Sequence, residues 1–383
     1  MTTPSAIKRD TVGGRLRRLR RRTIPSRALA HYVARAYLSR FALMLVVLVV
    51  ILQMLDMLNR SDDIMAADGA TRASLIRYIL WRSPELISQF TPFAALLGGL
   101  FTLSSLNVHS EVTIMRASGL SPGQIIAPMV GVSLIISAAH AVFHDQVTVK
   151  ASARLAYWQS QDYSLSTGLP PEGRQDLWFQ DDRQIVEART ATRMGGQVLL
   201  DDLYIYERGT DGLLNRSMAA EFALFDGSVW TLYNIRRFDL DAHDMLSAET
   251  EPWTFGVPID HIFAQIDRPE QADIASLNLA IGILDAAGLE NFTLKTSLYH
   301  RFALALSSAT MPLLAAFVAF GLPRGGARIG RVILGMALGF SFFVLDNYMV
   351  AMGTMGVIPP LLSAYGSLLL YGLIGTSILI RLD

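Results

Sequence analysis

The sequence predicts an α-helical membrane protein with six transmembrane helices and one mostly antiparallel β domain inserted between the third and fourth. Three observations predict it. Composition is 51% hydrophobic across 383 residues, with a mean hydropathy of +0.35, too apolar for an ordinary soluble chain. The apolar residues concentrate in separate stretches long enough to cross a bilayer. Between the third and fourth stretches the pattern changes to short β-branched and aromatic runs separated by turn signals. The 33 basic and 33 acidic residues leave no net charge to favour nucleic acid, so charge distribution carries more information than its sum. With no cysteine, disulfides, thiolate metal sites and cysteine nucleophiles are excluded.

A helical span needs about 20 apolar residues, because a rise of about 1.5 Å per residue must cross about 30 Å of hydrocarbon. The stretches that qualify are Tyr37–Leu58, Pro84–Leu106, Gln124–Phe143, Leu298–Phe320, Val332–Val350 and Ile358–Ile380. As helices they satisfy their own backbone hydrogen bonds, which lipid requires. The apolar run after the basic N-terminus is too long for a cleaved signal peptide and continues into further spans, so it reads as a retained helix.

Basic residues set the orientation. Between Lys8 and Arg40 stand 11 Lys and Arg against the single acid Asp10, and Arg324, Arg328 and Arg331 follow the fourth span without an acid. Both segments belong in the cytoplasm by the positive-inside rule. An even number of spans returns the C-terminus there and places the long middle segment outside. The loop from Asn59 to Ser83, also outside in this topology, carries Arg60, Arg72, Arg77 and Arg82, only partly balanced by Asp62, Asp63 and Asp68. The run Arg15 to Arg22 suits an anionic lipid surface or a disordered tail.

In the middle segment, Leu177–Asp181, Gln184–Thr190, Val198–Glu207 and Val229–Leu240 read as strands, with Asp211-Gly212 and Asp226-Gly227 as turns. Ala275–Ala287 reads as a short amphipathic helix stopped by Gly288. The resulting organisation is a basic cytoplasmic segment at 1–36, spans one to three within 37–143, the β domain and return segment at 144–297, and spans four to six within 298–383.

The sequence contains no phosphate-binding G-x-x-x-x-G-K-[ST] pattern, so ATP hydrolysis is not expected in this chain. Neither H-E-x-x-H nor G-x-S-x-G occurs. His140 and His144 have i,i+4 spacing without an evident third ligand, and no metal site is expected. The most informative stretch is NVHSEVTIMRASGLSPGQ, Asn107–Gln124, between the second and third spans. It reads as a short helix ending at Ser118-Gly119, with Val112, Met115 and Ile114 available to an apolar surface and Glu111 and Arg116 to charged hydrogen bonds. Docking to a partner and resting on the membrane surface both fit that pattern.

The run FTPFAALLGGLFTLSSLNVHSEVTIMRASGLSPGQI, Phe90 to Ile125, resembles the signature of the LptG/LptF family of lipopolysaccharide-export permeases. GRVILGMALGFSFFVLDNYMVAMGTMGVIPPLL, Gly330 to Leu362, and the order of spans and β domain extend the resemblance over nearly the whole chain. Leu345-Asp346-Asn347 and the MLDML around Asp56 resemble the G-type branch more than the F-type. The resemblance implies an inner-membrane, non-catalytic ABC-transporter subunit with a periplasmic jelly-roll-like domain. It implies pairing with an F-type (LptF-like) permease, a cytoplasmic LptB-like ATPase dimer that uses ATP and Mg, and LptC-like and LptA-like periplasmic bridges, with no cofactor in this chain. By the same resemblance the helix at 107–121 is a coupling helix, and Glu111, Arg116, Ser118 and Gly119 belong to it.

An anionic sugar-phosphate headgroup calls for cations near the outer boundary, and Arg60, Lys150, Arg154, Lys295 and Arg301 lie near outer span ends in this topology. Arg301, just inside the fourth span, is the foremost of these candidates, although such cations also snorkel to interfaces without any ligand. Gln53 stands where some relatives carry a basic residue, which removes a charge-based lipid contact there. Asp346 is costly inside lipid and is expected at a gate or an interhelix contact, as is Asp56. Gly335 and Gly339 form a G-x-x-x-G pattern that permits close helix approach, the partner permease being one expected neighbour. In a different class, the same layout suits a membrane receptor whose external β domain senses a ligand and whose 107–124 loop binds an effector. An intramembrane enzyme finds no catalytic constellation in the sequence.

Overall fold

The computed structural model describes residues 26–164, 174–180, 184–194, 197–209, 213–239, 244–264, 266, 268–321 and 328–382. The basic segment 1–25, Asp181, Asp211-Gly212, Leu240, Arg324 and Asp383 lie outside the described residues, as do the side chains of Arg328, Arg331 and Arg381. Two compact units form. One comprises the chain up to Leu155 and from Thr296 onward, the other Ala156–Lys295.

The first unit is helical. Its elements are α1 (Arg27–Ala66), α2 (Arg72–Val108), α3 (Glu111–Ala117) and α4 (Pro122–Phe143). A π-helical turn (His144–Thr148) leads into α5 (Val149–Ser160), which passes into the second unit at Ala156; the chain returns within α8 (Phe292–Gly321) at Thr296, followed by α9 (Arg328–Thr354) and α10 (Pro360–Leu382). Among the described residues five helices are long and apolar enough to cross a membrane. They begin at Arg27, Arg72, Pro122, Phe292 and Val332 and contain the first five expected spans. The sixth expected span falls on α10, a 23-residue helix. Helix starts follow capping chemistry. Ser121 accepts from Gln124 N while the Gln124 carboxamide oxygen accepts from Ser121 N, and Pro122 occupies the first turn, where its missing N–H costs nothing.

Small residues set how closely the helices pack. A Cβ added to Gly98 of α2 would stand 2.9 Å from the backbone of Phe41 on α1, and one on Gly99 would stand 2.8 Å from Ala315 of α8. Gly335 and Gly339 of α9 meet Leu100, Leu96 and Phe93 of α2, so the close approach that this pattern permits is to a helix of the same chain. Tyr37 of α1 is fully buried and shares its hydroxyl with Ser133 Oγ of α4 at 2.6 Å while donating to Ala95 O of α2 at 3.3 Å.

The second unit carries a six-stranded antiparallel sheet, β1 (Arg174–Gln180), β2 (Gln184–Met194), β3 (Gln197–Arg208), β4 (Leu214–Phe225), β5 (Trp230–Asp239) and β6 (Asp244–Trp253), paired strictly in chain order. The expected jelly-roll-like domain is met at the level of an antiparallel sheet with one apolar face. The strand order is that of an up-and-down meander, because short hairpin connections seat each strand beside its predecessor. β4, β6 and α5 fall on segments that the strand and helix patterns do not mark. At the Asp226-Gly227 turn Gly227 has φ +105°, and backbone N–H donation from Val229, then hydroxyl and N–H donation from Ser228, hold the Asp226 carboxyl below its usual range. Next come α6 (Ile259–Ala264), a 3₁₀ turn (Pro269–Gln271) and α7 (Ile274–Ala286), capped by Asp273 and ended by Gly288 at φ +69°.

One feature of the sheet departs from strict alternation. Buried residues run Val186, Ala188, then Thr190 and Ala191 on β2; Val198, Leu200, then Leu203 on β3; Met218, Ala220, then Ala223 on β4; and Trp230, Leu232, then Ile235 on β5. In β2 to β5 the inward phase slips by one residue at the same height. The transverse row Asp176, Arg189, Asp202, Glu221, Asn234 and Glu249 is left out of the ladder, while pairs on both sides keep one register. Asp202 and Asn234 take left-handed backbone, φ +49° and +52°. The row acts as a bulge shared by β2 to β5, re-aiming each of these strands so that one face stays apolar through it. That face is closed at one end by Phe179, Trp253 and Phe255, with Ile262 of α6 packed into the same core.

Two outcomes test these contacts. Gly98→Leu forces a side chain into the Phe41 backbone and costs about 1–3 kcal/mol, lowering the melting temperature in detergent, whereas Gly131→Ala, with open space at its Cβ, leaves it unchanged. In the sheet, Asn234→Val places a β-branched residue at positive φ and costs about 1–3 kcal/mol, while Asn234→Gly is tolerated. Limited proteolysis of the middle segment reads the difference.

Candidate functional site

The segment after α2 is built to present a helix. His109 closes α2 with its N–H on Ser105 O, Ser110 turns the chain at φ +59°, and α3 follows at once. Gly119 at φ +87° ends it, with Leu120 N donating to Met115 O at 3.1 Å and the Ser118 hydroxyl donating to Ile114 O at 2.9 Å. A residue with a Cβ is strained at that φ, so Ser118-Gly119 is a geometric stop.

Each side of α3 has a distinct fate. Val112 and Met115 are buried in the bundle's own core, so the apolar surface they meet belongs to this chain. Ile114 is 62% exposed, and Thr113, Arg116 and Ser118 are exposed beside it. Glu111 accepts a hydrogen bond from the Tyr32 hydroxyl of α1 at 3.1 Å, and Arg40 of α1 donates to Ser105 Oγ of α2 at 2.9 Å. α1 therefore ties the root of α3 to α2. Asn107 and Val108, just before α3, help line a cavity of 210 Å³ with Leu100, Ser104, Val318, Ala319 and Val332.

The expected intramembrane acids both make interhelix contacts. Asp56 of α1 accepts from the Tyr78 hydroxyl at 2.6 Å and from Arg82 Nε at 3.2 Å, both on α2, and Arg82 also pairs with Glu85 at 2.6 Å. Asp346 of α9, buried, accepts from the Ser367 hydroxyl of α10 and lies 2.8 Å from His300 Nε2 of α8. Three helices thus meet on one carboxylate, which supplies the satisfied environment a buried acid requires.

The expected basic residues divide by surroundings. The Arg301 side chain is only 7% exposed and its Nη1 lies 3.8 Å from Asp145 Oδ1. Nearby, His140 Nε2 and His144 Nδ1 each share a hydrogen with Ser88 Oγ at 2.8 Å. No group of three metal-ligating side chains occurs among the described residues. Lys150 and Arg154, one turn apart on α5, are exposed, with Lys150 donating to Gln146 at 3.4 Å. Arg60 pairs loosely with Asp63 at 4.0 Å. Lys295 bonds Asp285 at 2.7 Å and, with Asn291, holds that carboxyl below its usual range. Gln53 is buried, and its amide atoms have no hydrogen-bond partner among the described residues.

Sequence reasoning missed the partners rather than the acids and bases themselves. Tyr32, Tyr78, Ser88, His300 and Ser367 carry the contacts, and ordinary polar residues on apolar helices give no spacing signal before the helices are packed. His300 alone offered a hint, as an ionisable neighbour of Arg301.

Asp346→Ala leaves the Ser367 and His300 groups without their buried acceptor and costs about 1–3 kcal/mol. Thermal unfolding in detergent should show that loss, and a smaller one for Asp346→Asn, whose amide oxygen still accepts from Ser367.

Comparison with known proteins matches residues 31–381 to the family model described as lipopolysaccharide export system permease LptF/LptG. The chain is similar to the lipopolysaccharide export system permease protein LptG of Escherichia coli K12, 26% identical over 292 residues, covering 75% of this chain and 80% of that protein. It is also similar to LptG of Haemophilus influenzae, 25% identical over 292 residues, covering 73% and 78% respectively.

Proposed function

The chain belongs to the LptF/LptG family of lipopolysaccharide export system permeases, and we propose that it is the G-type, non-catalytic transmembrane subunit of an ABC transporter. In this reading it extracts lipopolysaccharide from the inner membrane and passes it through a periplasmic β domain toward the outer membrane. α1, α2, α4, α8, α9 and α10 are the six spans, and both termini are cytoplasmic. An F-type permease completes the cavity, a cytoplasmic LptB-like ATPase dimer uses ATP and Mg, and LptC-like and LptA-like proteins carry the lipid onward.

The energetics dictate the route. Moving acyl chains from a bilayer into water costs about 0.8 kcal/mol per buried CH₂, on the order of tens of kcal/mol for several chains. The path must therefore stay apolar. The spans offer apolar walls, and the sheet's apolar face, lined by such residues as Leu203, Ile205 and Ile235, offers the next one.

The observation that carries the coupling role is α3, half sunk in its own bundle through Val112 and Met115 and open on the side of Ile114 and Arg116. A helix so rooted transmits a push from the ATPase to α1 and α2 through the Tyr32–Glu111 and Arg40–Ser105 contacts. Ser118 and Gly119 keep it short and fixed in direction. Arg301, Lys150, Arg154, Arg60 and Lys295 are the cations offered to the lipid's anionic headgroup. Asp346 and Asp56 hold helices beside the lateral gate, and Gly335 and Gly339 let α9 slide against α2.

ATP-driven release of labelled lipopolysaccharide from proteoliposomes, with the F-type permease, ATPase and periplasmic acceptor present or omitted in turn, tests the reading. Release should require every partner. Arg116→Ala and Glu111→Ala, separately, should lower ATPase co-purification and release by about tenfold, the scale of about 1.4 kcal/mol at a charged contact. Unchanged release with both variants would remove the coupling role from α3.

A further inference from the structure

The shared bulge row has a second consequence on the face of the sheet opposite its apolar core. There Asp202, Glu221, Asn234 and Glu249 of the row, together with Tyr204, Arg236 and Ser247 of the neighbouring row, line a groove of about 630 Å³, within the range of about 300–1,000 Å³ typical of ligand clefts. Ala219, Ala220, Ile235 and Ala248 complete its lining; Ala220 and Ile235 are buried in the core on the other face, and the small side chains of Ala219 and Ala248 leave the hollow. It spans β3 to β6, four strands at about 4.8 Å spacing, and ends at the open edge of β6.

The lining selects a class of ligand. Tyr204, 41% exposed, offers a ring face, and around it carboxylates, a carboxamide, a hydroxyl and a guanidinium mix donors with acceptors. Three acids, Asp202, Glu221 and Glu249, stand with Arg236 and with the Arg189 that pairs with Asp202, leaving one negative charge in excess, which disfavours phosphate. The apolar part of the lining is three alanines and Ile235, itself only 2% exposed, so an acyl chain finds only short, broken apolar surface here. Asp202 is held by Arg189 and Glu221 by Asn234, which fixes part of the polar frame before any ligand arrives. A flat hydroxylated ring with apolar C–H faces matches an aromatic platform flanked by such groups.

We propose that this groove is a saccharide-binding site that takes neutral, phosphate-free sugars of the exported glycolipid while its acyl chains lie on the opposite, apolar face. The inference rests on the export reading above. Because the groove opens at β6, a sugar chain covalently attached to lipid on the inner face reaches it by passing over one strand edge. The sheet then holds an amphiphile from both sides, and the saccharide contact is separate from the cationic headgroup contacts on the helices.

The test uses the assembled transporter with a photo-crosslinking residue at Tyr204 or, separately, at Ile205 on the apolar face. During ATP-driven export of lipopolysaccharide bearing a long neutral saccharide, both positions should crosslink to it, and Tyr204 should lose its crosslink when the cargo is the sugar-trimmed lipid. Tyr204→Ala should slow release of the long-sugar cargo several-fold relative to the trimmed one, and Tyr204→Trp should restore it. Crosslinking at Ile205 without Tyr204, or equal effects of Tyr204→Ala on both cargoes, would overturn the saccharide site and leave the export reading standing. No crosslink at either position in a complex that consumes ATP would overturn both.

Discussion

Because lipid offers packed helices no aqueous phase to withdraw from, the helical unit is held together by how closely its members approach α2. Gly98 admits the backbone of α1, Gly99 admits Ala315 of α8, and Gly335 and Gly339 of α9 receive Leu96 and Leu100 from α2. α2 is accordingly the most buried of the long apolar helices, whereas α1 keeps Leu43, Val46 and Met54 exposed along one side. The polar contacts of α1 are placed by that packing. Tyr37 reaches Ser133 and Ala95, and Asp56 reaches Tyr78 and Arg82, because α1 lies against α2 at short range.

Buried polar groups complement the glycines. Tight small-residue contacts fix distance but leave helices free to slide, since one small residue packs much like the next. A carboxylate at Asp346 that accepts from Ser367 and meets His300 specifies register among α8, α9 and α10. Ser88, between His140 and His144, does the same for α2 and α4. Such contacts add directional specificity where dispersion alone is indifferent.

The sequence made the helices legible because lipid imposes a length and a composition on each span, and α1, α2, α4, α8 and α9 contain the expected apolar stretches. α3 and α7 were legible from stop signals, Gly119 and Gly288, which adopt positive φ as those stops require. Within the sheet, β2, β3 and β5 showed themselves through runs of Val, Ile, Leu and aromatic residues. β4 is rich in alanine and β6 is polar and almost wholly exposed, so neither carried the alternation that marks a half-buried strand. The row at Arg189, Asp202, Glu221 and Asn234 explains part of that difficulty. It shifts the apolar period in the middle of each strand, and a reading that expects period two sees a strand end. The chemistry-bearing residues were partly visible as isolated charges in apolar stretches, but their partners were not, since residues distant in sequence acquire meaning only through helix packing.

The shared bulge also constrains how the β unit can change over generations. In an ordinary meander a single-residue insertion or deletion inside one strand inverts the faces of the remainder and is absorbed, if at all, at a nearby hairpin. Here the extra residue is matched on both neighbours, so removing it from β3 alone would restore strict alternation there, keeping Leu203 and Ile205 on Leu200's face, but would leave Arg189 of β2 and Glu221 of β4 with no residue opposite. Loss in one strand could be repaired only by loss in all. Length variation among descendants of this chain should therefore collect in the hairpins, leaving the interior of the strands free of gaps even where residue identities drift widely.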